Sequence, residues 1–319
     1  MPRTDLPLDE LWSYRPDVVE PAGFDAFWAD TLAEAAAVPL DVELRRIDTG
    51  LITIETYDVT YRGFGGDPVR AWLHLPATPL PRSTIGVVQY IGYNGGRGLP
   101  HEHTFWAQAG HPHLVMDTRG QGSGWSVGDT ADPRGGSGPA QPGFLTHGIE
   151  SPAGHYYRRV FVDAVRAVEV MRGQVERVAV AGISQGGGIA LGVAGLVDDL
   201  VAVMPDVPFL CHFRRAVDVA AGDPYAEITR YLAAHRDRVS ATFETLAHFD
   251  GVLHARRALA PALFSVAMMD QICPPSTVFA AYHAYAGSKR IEVYEFNDHE
   301  GGAPYQLLRQ TRWLASVLA

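Results

Sequence analysis

Apolar positions recur along the chain with two different spacings, and each predicts its own kind of element. Phe24, Phe27, Trp28, Leu32 and Ala35 recur at helical spacing, which predicts a helix over 24–37. Tyr57, Val59 and Tyr61 alternate with their neighbours, as do Val69, Ala71, Leu73 and Leu75, and each set predicts a strand. Gly65-Gly66-Asp67 between them suits a hairpin turn. Further on, short apolar runs at 85–91, 114–117, 178–183, 201–204, 263–267 and 291–296 predict strands buried on both faces of a parallel sheet. Helical patterns at 157–171, 186–196, 277–285 and 305–317 lie among them. This alternation predicts a doubly wound α/β architecture, with an antiparallel hairpin leading into a mostly parallel sheet. A single domain over 1–319 accommodates it. The stretch 209–257 breaks the alternation with charged, helix-like sequence and reads as a helical cap insertion. The stretch 129–143, rich in Gly, Pro and Asp, reads as a surface loop rather than a domain boundary.

Composition narrows the function classes. Of 319 residues, 47% are apolar and 19% charged, enough for a large core and too few charges for disorder. Net charge is −10, and nothing suggests the basic patch or stripe of a nucleic-acid binder. Cys211 and Cys273 cannot form a disulfide framework, and reduced thiols fit a cytoplasmic setting. The N-terminus shows no apolar run of the signal-peptide kind, and no stretch is apolar enough for a membrane span.

One motif brings chemistry. Gly182-Ile183-Ser184-Gln185-Gly186 fits G-x-S-x-G, follows the apolar run 177–181 and precedes the small-residue helix pattern from Gly188. Strand, tight turn, then helix is the elbow that presents a serine at the end of an α/β-hydrolase sheet. Without that context the pattern reads as a glycine-rich turn holding an incidental serine. A serine hydroxyl needs a base, and this fold orders its triad serine, acid, histidine. Of the histidines after Ser184, only His299 sits in a loop just after a late strand. His212, His235, His248 and His254 fall in the cap stretch, and His283 within a helix pattern. Two aspartates close strands in between, Asp206 and Asp270. Position alone does not separate them; Asp270 is preferred because its strand is next in sequence to the one before His299. An oxyanion needs backbone donors. Gln185 follows the nucleophile, and Tyr93 lies in the glycine-rich turn 91–96 after an earlier strand.

At these residues the chain resembles carbohydrate esterase family 7, the acetyl xylan esterases and cephalosporin C deacetylases. Arg119-Gly120-Gln121-Gly122, Gly182-Ile183-Ser184-Gln185-Gly186-Gly187 and His299-Glu300 match the family's three motifs in order. Similar stretches extend along most of the chain, among them Gly92-Tyr93-Asn94-Gly95 and Asp270-Gln271-Ile272-Cys273-Pro274. The resemblance implies a nucleophile at Ser184, an acid at Asp270, a base at His299 and oxyanion donors at Tyr93 and Gln185. It implies that Arg119, Gln121 and Asp206 brace the oxyanion loops. It also implies a hexamer built as a dimer of trimers, and activity on small acetate esters such as acetylated xylo-oligosaccharides and cephalosporin C. His147 and His155 depart from the family pattern, where an arginine and a tyrosine are common; the departures bear on oligomer contacts and fine specificity.

This chemistry requires no metal or organic cofactor. His101-Glu102-His103 lacks a third ligand at suitable spacing and reads as the opening of a helix after Pro100. Gly186-Gly187-Gly188 is neither a P-loop nor G-x-G-x-x-G. Cys273 reads as a packing residue. Two other functions share the pattern. A prolyl-oligopeptidase-like peptidase has the same fold and triad, and a binding protein can sit on an inactive hydrolase fold. No propeller-like repeats support the first, and the intact set of serine, acid and histidine argues against the second.

Overall fold

Runs of branched and small apolar residues, buried on both faces, form the centre of a nine-stranded sheet. A computed structural model describes residues 3–78, 85–135 and 142–317. Its strands are β1 (Glu43–Ile47), β2 (Ile54–Arg62), β3 (Pro68–Pro76), β4 (Ile85–Tyr90), β5 (His113–Met116), β6 (Arg177–Ile183), β7 (Ala202–Asp206), β8 (Ala262–Ala267) and β9 (Lys289–Tyr294). Their order is β1-β2-β3-β5-β4-β6-β7-β8-β9. The pairs β1–β2, β2–β3 and β3–β5 are antiparallel, and every pair from β5 to β9 is parallel. The predicted hairpin is the β2–β3 pair, turning at Phe64–Gly66 with Arg62 opposite Pro68.

Helices cover both faces: α1 (Leu8–Ser13), α2 (Phe24–Ala36), α3 (Phe105–Gln108), α4 (Tyr156–Arg172), α5 (Gln185–Ala194), α6 (Phe213–Val219), α7 (Ala226–Ala234), α8 (Val239–Ala247), α9 (Gly251–Ala255), α10 (Pro275–Ala284) and α11 (Ala303–Val317). The two-residue period of the strands divides the core. Val88, Val178, Val180 and Val203 join the cluster under α4 and α5. Ile85, Val87, Ala179, Ala181 and Met204 join Trp106 and Leu314 on the opposite face. This is the doubly wound, mostly parallel sheet of an α/β hydrolase.

The strand order fixes where a site can form. From β4 the chain crosses to β5 on one side and returns to β6 on the other, so β4 and β6 are neighbours, with Tyr90 beside Gly182. Such a reversal opens a crevice at the carboxyl ends of the strands. The turns after β4 and β6 carry Tyr93 and Ser184.

One expectation needs correction. His101-Glu102-His103 lies in a turn, where the Glu102 carboxylate accepts from the Leu99 N–H at 2.8 Å, and the helix starts only at Phe105. The stretch 209–257 holds four helices, of which α9 is buried throughout and capped by the Asp250 side chain. Edge strand β1, largely exposed, has no apolar alternation to announce it. Of the loop at 129–143, residues 136–141 lie outside the described residues.

Candidate active site

Ser184 occupies the tight turn between β6 and α5 with φ 57° and ψ −118°, a strained conformation for a side-chain-bearing residue. Neighbouring backbone holds it there: the Ser184 N–H donates to the Asp206 carbonyl, and the Ser184 carbonyl accepts from Phe209, both at 2.9 Å. Gly186 permits the close approach, because a Cβ there would stand 2.1 Å from the Tyr90 carbonyl oxygen. Ser184 is therefore pushed out of the turn toward the loop of His299. His299 Nε2 lies 2.9 Å from Ser184 Oγ, and its Nδ1 lies 2.9 Å from Asp270 Oδ2. The buried Asp270 carboxylate also accepts from the Ile272 and Cys273 N–H groups at 2.8 Å, which fixes its orientation. With Nδ1 donating to the carboxylate, Nε2 turns its lone pair to the serine hydroxyl.

The other histidines after Ser184 have different partners. His248, His254 and His283 each bond a backbone carbonyl, of Glu244, His248 and Leu11 respectively. Asp206 is not next to His299. Its carboxylate accepts from Gln306 and Gln310 of α11 at 2.9 and 2.8 Å.

The turns carrying Tyr93 and Gln185 are joined by side-chain amides. Gln121 Oε1 accepts from the Asn94 N–H at 2.6 Å, and its Nε2 donates to Gln185 Oε1 at 2.8 Å. Gln185 Nε2 donates to the Ile91 carbonyl at 3.1 Å, and the Tyr157 hydroxyl donates to Gln185 Oε1 at 2.8 Å. Among the described residues no acceptor meets the Tyr93 N–H. Gln185 opens α5, where an N–H has no partner inside the helix. The Tyr93 and Gln185 N–H groups thus lie, without a partner among the described residues, in two linked turns.

The acetyl xylan esterase (AXE1) family model matches residues 1–317. The chain belongs to that family. Its members are carboxylic ester hydrolases. The chain is 36% identical to the acetyl xylan esterase of Paenibacillus sp. R4, with a TM-score of 0.88 over 98% of this chain and 99% of that one. It is 30% identical to acetyl xylan esterase 1 of Thermoanaerobacterium sp. JW/SL YS485, with a TM-score of 0.87 over 99% and 100%. It is 25% identical to the acetyl esterase Axe7A of Xylanibacter ruminicola across 89% of this chain, and spans 65% of that protein's length.

In this member of the acetyl xylan esterase family the three bracing residues act differently. Gln121 touches both turns directly. Arg119 acts at one remove. Its guanidinium grips Asp163 at 2.6 and 2.8 Å and reaches Asp67 and Asp132, while its carbonyl accepts from the Tyr156 hydroxyl that also accepts from Gln121. The Asp206 carboxylate bonds neither the Tyr93 turn nor Gln185; Asp206 holds the Ser184 turn through its carbonyl and α11 through its side chain.

One residue escaped the sequence reading. Glu227 of α7 accepts from the Tyr93 hydroxyl at 2.6 Å and from the Leu145 N–H at 3.0 Å. Nothing in a helix pattern distinguishes this glutamate from a solvated one. Burial raises its pKa above the usual carboxylate range and raises that of Tyr93 as well.

Asp270, Cys273 and His299 bring donor atoms within 4.8 Å of one another. A cation there would displace the proton that joins His299 to Asp270. Burial and the nearby Asp270 also push the Cys273 thiol well up, away from the thiolate a metal binds. The donor set fits proton transfer better than coordination. The two family departures have local explanations. His155 caps α4, accepting from the Tyr157 N–H at 3.3 Å and bonding the Leu145 carbonyl at 3.1 Å, so it is buried in the chain's own core. His147 is exposed, with its ring edge on Phe144.

Proposed function

We propose that this chain is a serine carboxylesterase that removes acetyl groups from small O-acetylated substrates. The hydrogen-bonded line Ser184–His299–Asp270, with both links at 2.9 Å, carries this reading. Ser184 Oγ attacks the acetyl carbonyl carbon while His299 Nε2 takes its proton. The Tyr93 and Gln185 N–H groups hold the oxyanion. The ester C–O bond breaks, the alcohol leaves with the proton from His299, and an acetyl-enzyme remains. Water attacks it, giving a proton to His299, and acetate leaves as the Ser184 hydroxyl is restored. Asp270 keeps His299 in the reactive tautomer. Similarity to two acetyl xylan esterases along their full length favours this reading over a peptidase or an inactive binding protein.

The same similarity supports acetylated xylo-oligosaccharides as substrates; cephalosporin C-type acetates and a preference for short acyl chains follow from the family resemblance alone. We further propose one hydrolase domain over 1–319 with a cap-like insertion near 209–257, a cytoplasmic setting that suits its two free cysteines, and, from the family resemblance, assembly as a hexamer, a dimer of trimers. Light scattering that gives the mass of one chain would remove the hexamer.

Acetate release from p-nitrophenyl acetate and acetylated xylo-oligosaccharides tests the chemistry. Ser184→Ala is expected to be at least about a thousandfold slower than wild type. Equal rates would remove Ser184 as nucleophile, and octanoyl esters cleaved as fast as acetyl esters would remove the short-chain preference.

A further inference from the structure

Trp125 is 60% exposed, yet its indole is held in place. Its Nε1 donates to the Tyr93 carbonyl at 2.9 Å. Its six-membered ring rests on the turn after β4: a Cβ at Gly95 would stand 2.3 Å from Trp125 Cζ2, so only glycine lets the ring settle there. The ring is thus anchored on one side and open to solvent on the other.

Trp125 also lines a cavity of about 290 Å³, with Trp106, Ile183, Gln89, Gln310 and Glu300 among its other walls. Ile183 is the residue before Ser184 and Glu300 the residue after His299, so the two segments that carry the reacting side chains also form part of the cavity wall. Ser184, Asp270 and His299 themselves do not line it. The side of the site is fixed by the chemistry. His299 must hand its proton to the departing oxygen, so the alcohol half of the ester lies toward the His299 loop. That loop, through Glu300, Gly301 and Gly302, forms one wall of the cavity. Two indoles with amide and carboxylate side chains suit a ring with apolar faces and a hydroxylated edge. The volume is at the small end for ligand sites, enough for one such ring.

We propose that Trp125 and this cavity bind the sugar ring of the leaving group. The ring stacks on the free face of Trp125, and its hydroxyls meet Gln89 and Glu300. The proposal rests on the esterase reading above and assigns the alcohol half of its substrate.

The experiment compares kcat/KM for acetylated xylobiose and for ethyl acetate in wild type, Trp125→Ala and Trp125→Phe. Loss of the Tyr93 contact slows both esters alike and cancels in their ratio. Trp125→Ala is expected to lower the saccharide-to-ethyl ratio at least about tenfold. Trp125→Phe keeps an aromatic face without the N–H and is expected to retain most of it. An unchanged ratio in Trp125→Ala overturns the proposal. Calorimetric titration of Ser184→Ala with xylobiose gives a second readout that needs no turnover. Binding that disappears in Ser184→Ala/Trp125→Ala supports the platform, and binding that persists there overturns it. A wild-type enzyme inert on both esters would sink the esterase reading, while the titration would still decide the sugar site.

Discussion

Ser184 shows what one residue reads from its neighbours and what it does not. The glycines around it make the strained turn possible, and that requirement is local enough to leave a motif. His299, hydrogen-bonded to Ser184, and Asp270, hydrogen-bonded to His299, come from loops 115 and 86 positions later, and no local pattern separates Asp270 from Asp206. Both close apolar strands. Only the folded chain shows that Asp270 faces His299 while Asp206 turns to two glutamines. Glu227 was invisible for the same reason: its partner, Tyr93, is 134 positions away. Its removal gives a prediction at this scale. Glu227→Ala frees the Tyr93 hydroxyl and the Leu145 N–H, so the turn presenting the Tyr93 N–H loses its outer support. Small displacements of a positioned group are costly. Steady-state kinetics is expected to show kcat lowered about 10- to 100-fold, with KM changed less than about threefold. A rise in KM at constant kcat would instead place Glu227 in ground-state binding.

Elements were legible where their burial was regular. Strands β4 and β6, buried on both faces, gave mostly apolar runs, and α4 combined a buried face with helical spacing. β1 is exposed and α1 short, so neither carries a period long enough to read. The contact between β7 and α11 is an element-scale feature with a measurable charge. Burial pushes Asp206 up to about 7, against hydrogen bonds from Ser265, Gln306 and Gln310 that lower it. The folded chain thus holds a proton that the unfolded chain releases above its ordinary pKa of 3.8. That stabilising contribution is full below 3.8 and is lost as pH rises through about 7. Asp206→Asn stays neutral throughout. Its urea midpoint, relative to wild type, is expected to be higher at pH 8 than at pH 5. The same difference at both values would mean that Asp206 titrates as an ordinary carboxylate.

At the scale of the whole molecule, buried histidines set the acid limit. Burial lowers His74 and His212 to about 4, and His155 and His254 to about 3, from 6.5. Each stays neutral in the fold and takes up a proton on unfolding once pH drops below 6.5. Asp206 and Asp250, raised to about 7 and about 6, act in the opposite sense. Four groups outweigh two, so stability falls as pH falls from 6.5 toward 4. Urea denaturation is expected to give a lower midpoint at pH 5 than at pH 7, and equal midpoints would contradict the burial of these rings.

The sequence by itself determined what depends on near neighbours. Period selects strand or helix, alternation of the two gives the doubly wound class, and glycine spacing marks the nucleophile turn. The tertiary structure decided what depends on distant parts of the chain. It set Asp270 rather than Asp206 against His299, gave Tyr93 its support from Glu227, set Trp125 on the turn after β4, and buried α9 within the core. Backbone preferences and apolar periods act over a few residues. A hydrogen bond between side chains a hundred positions apart exists only once the strand order has brought them to the same end of the sheet.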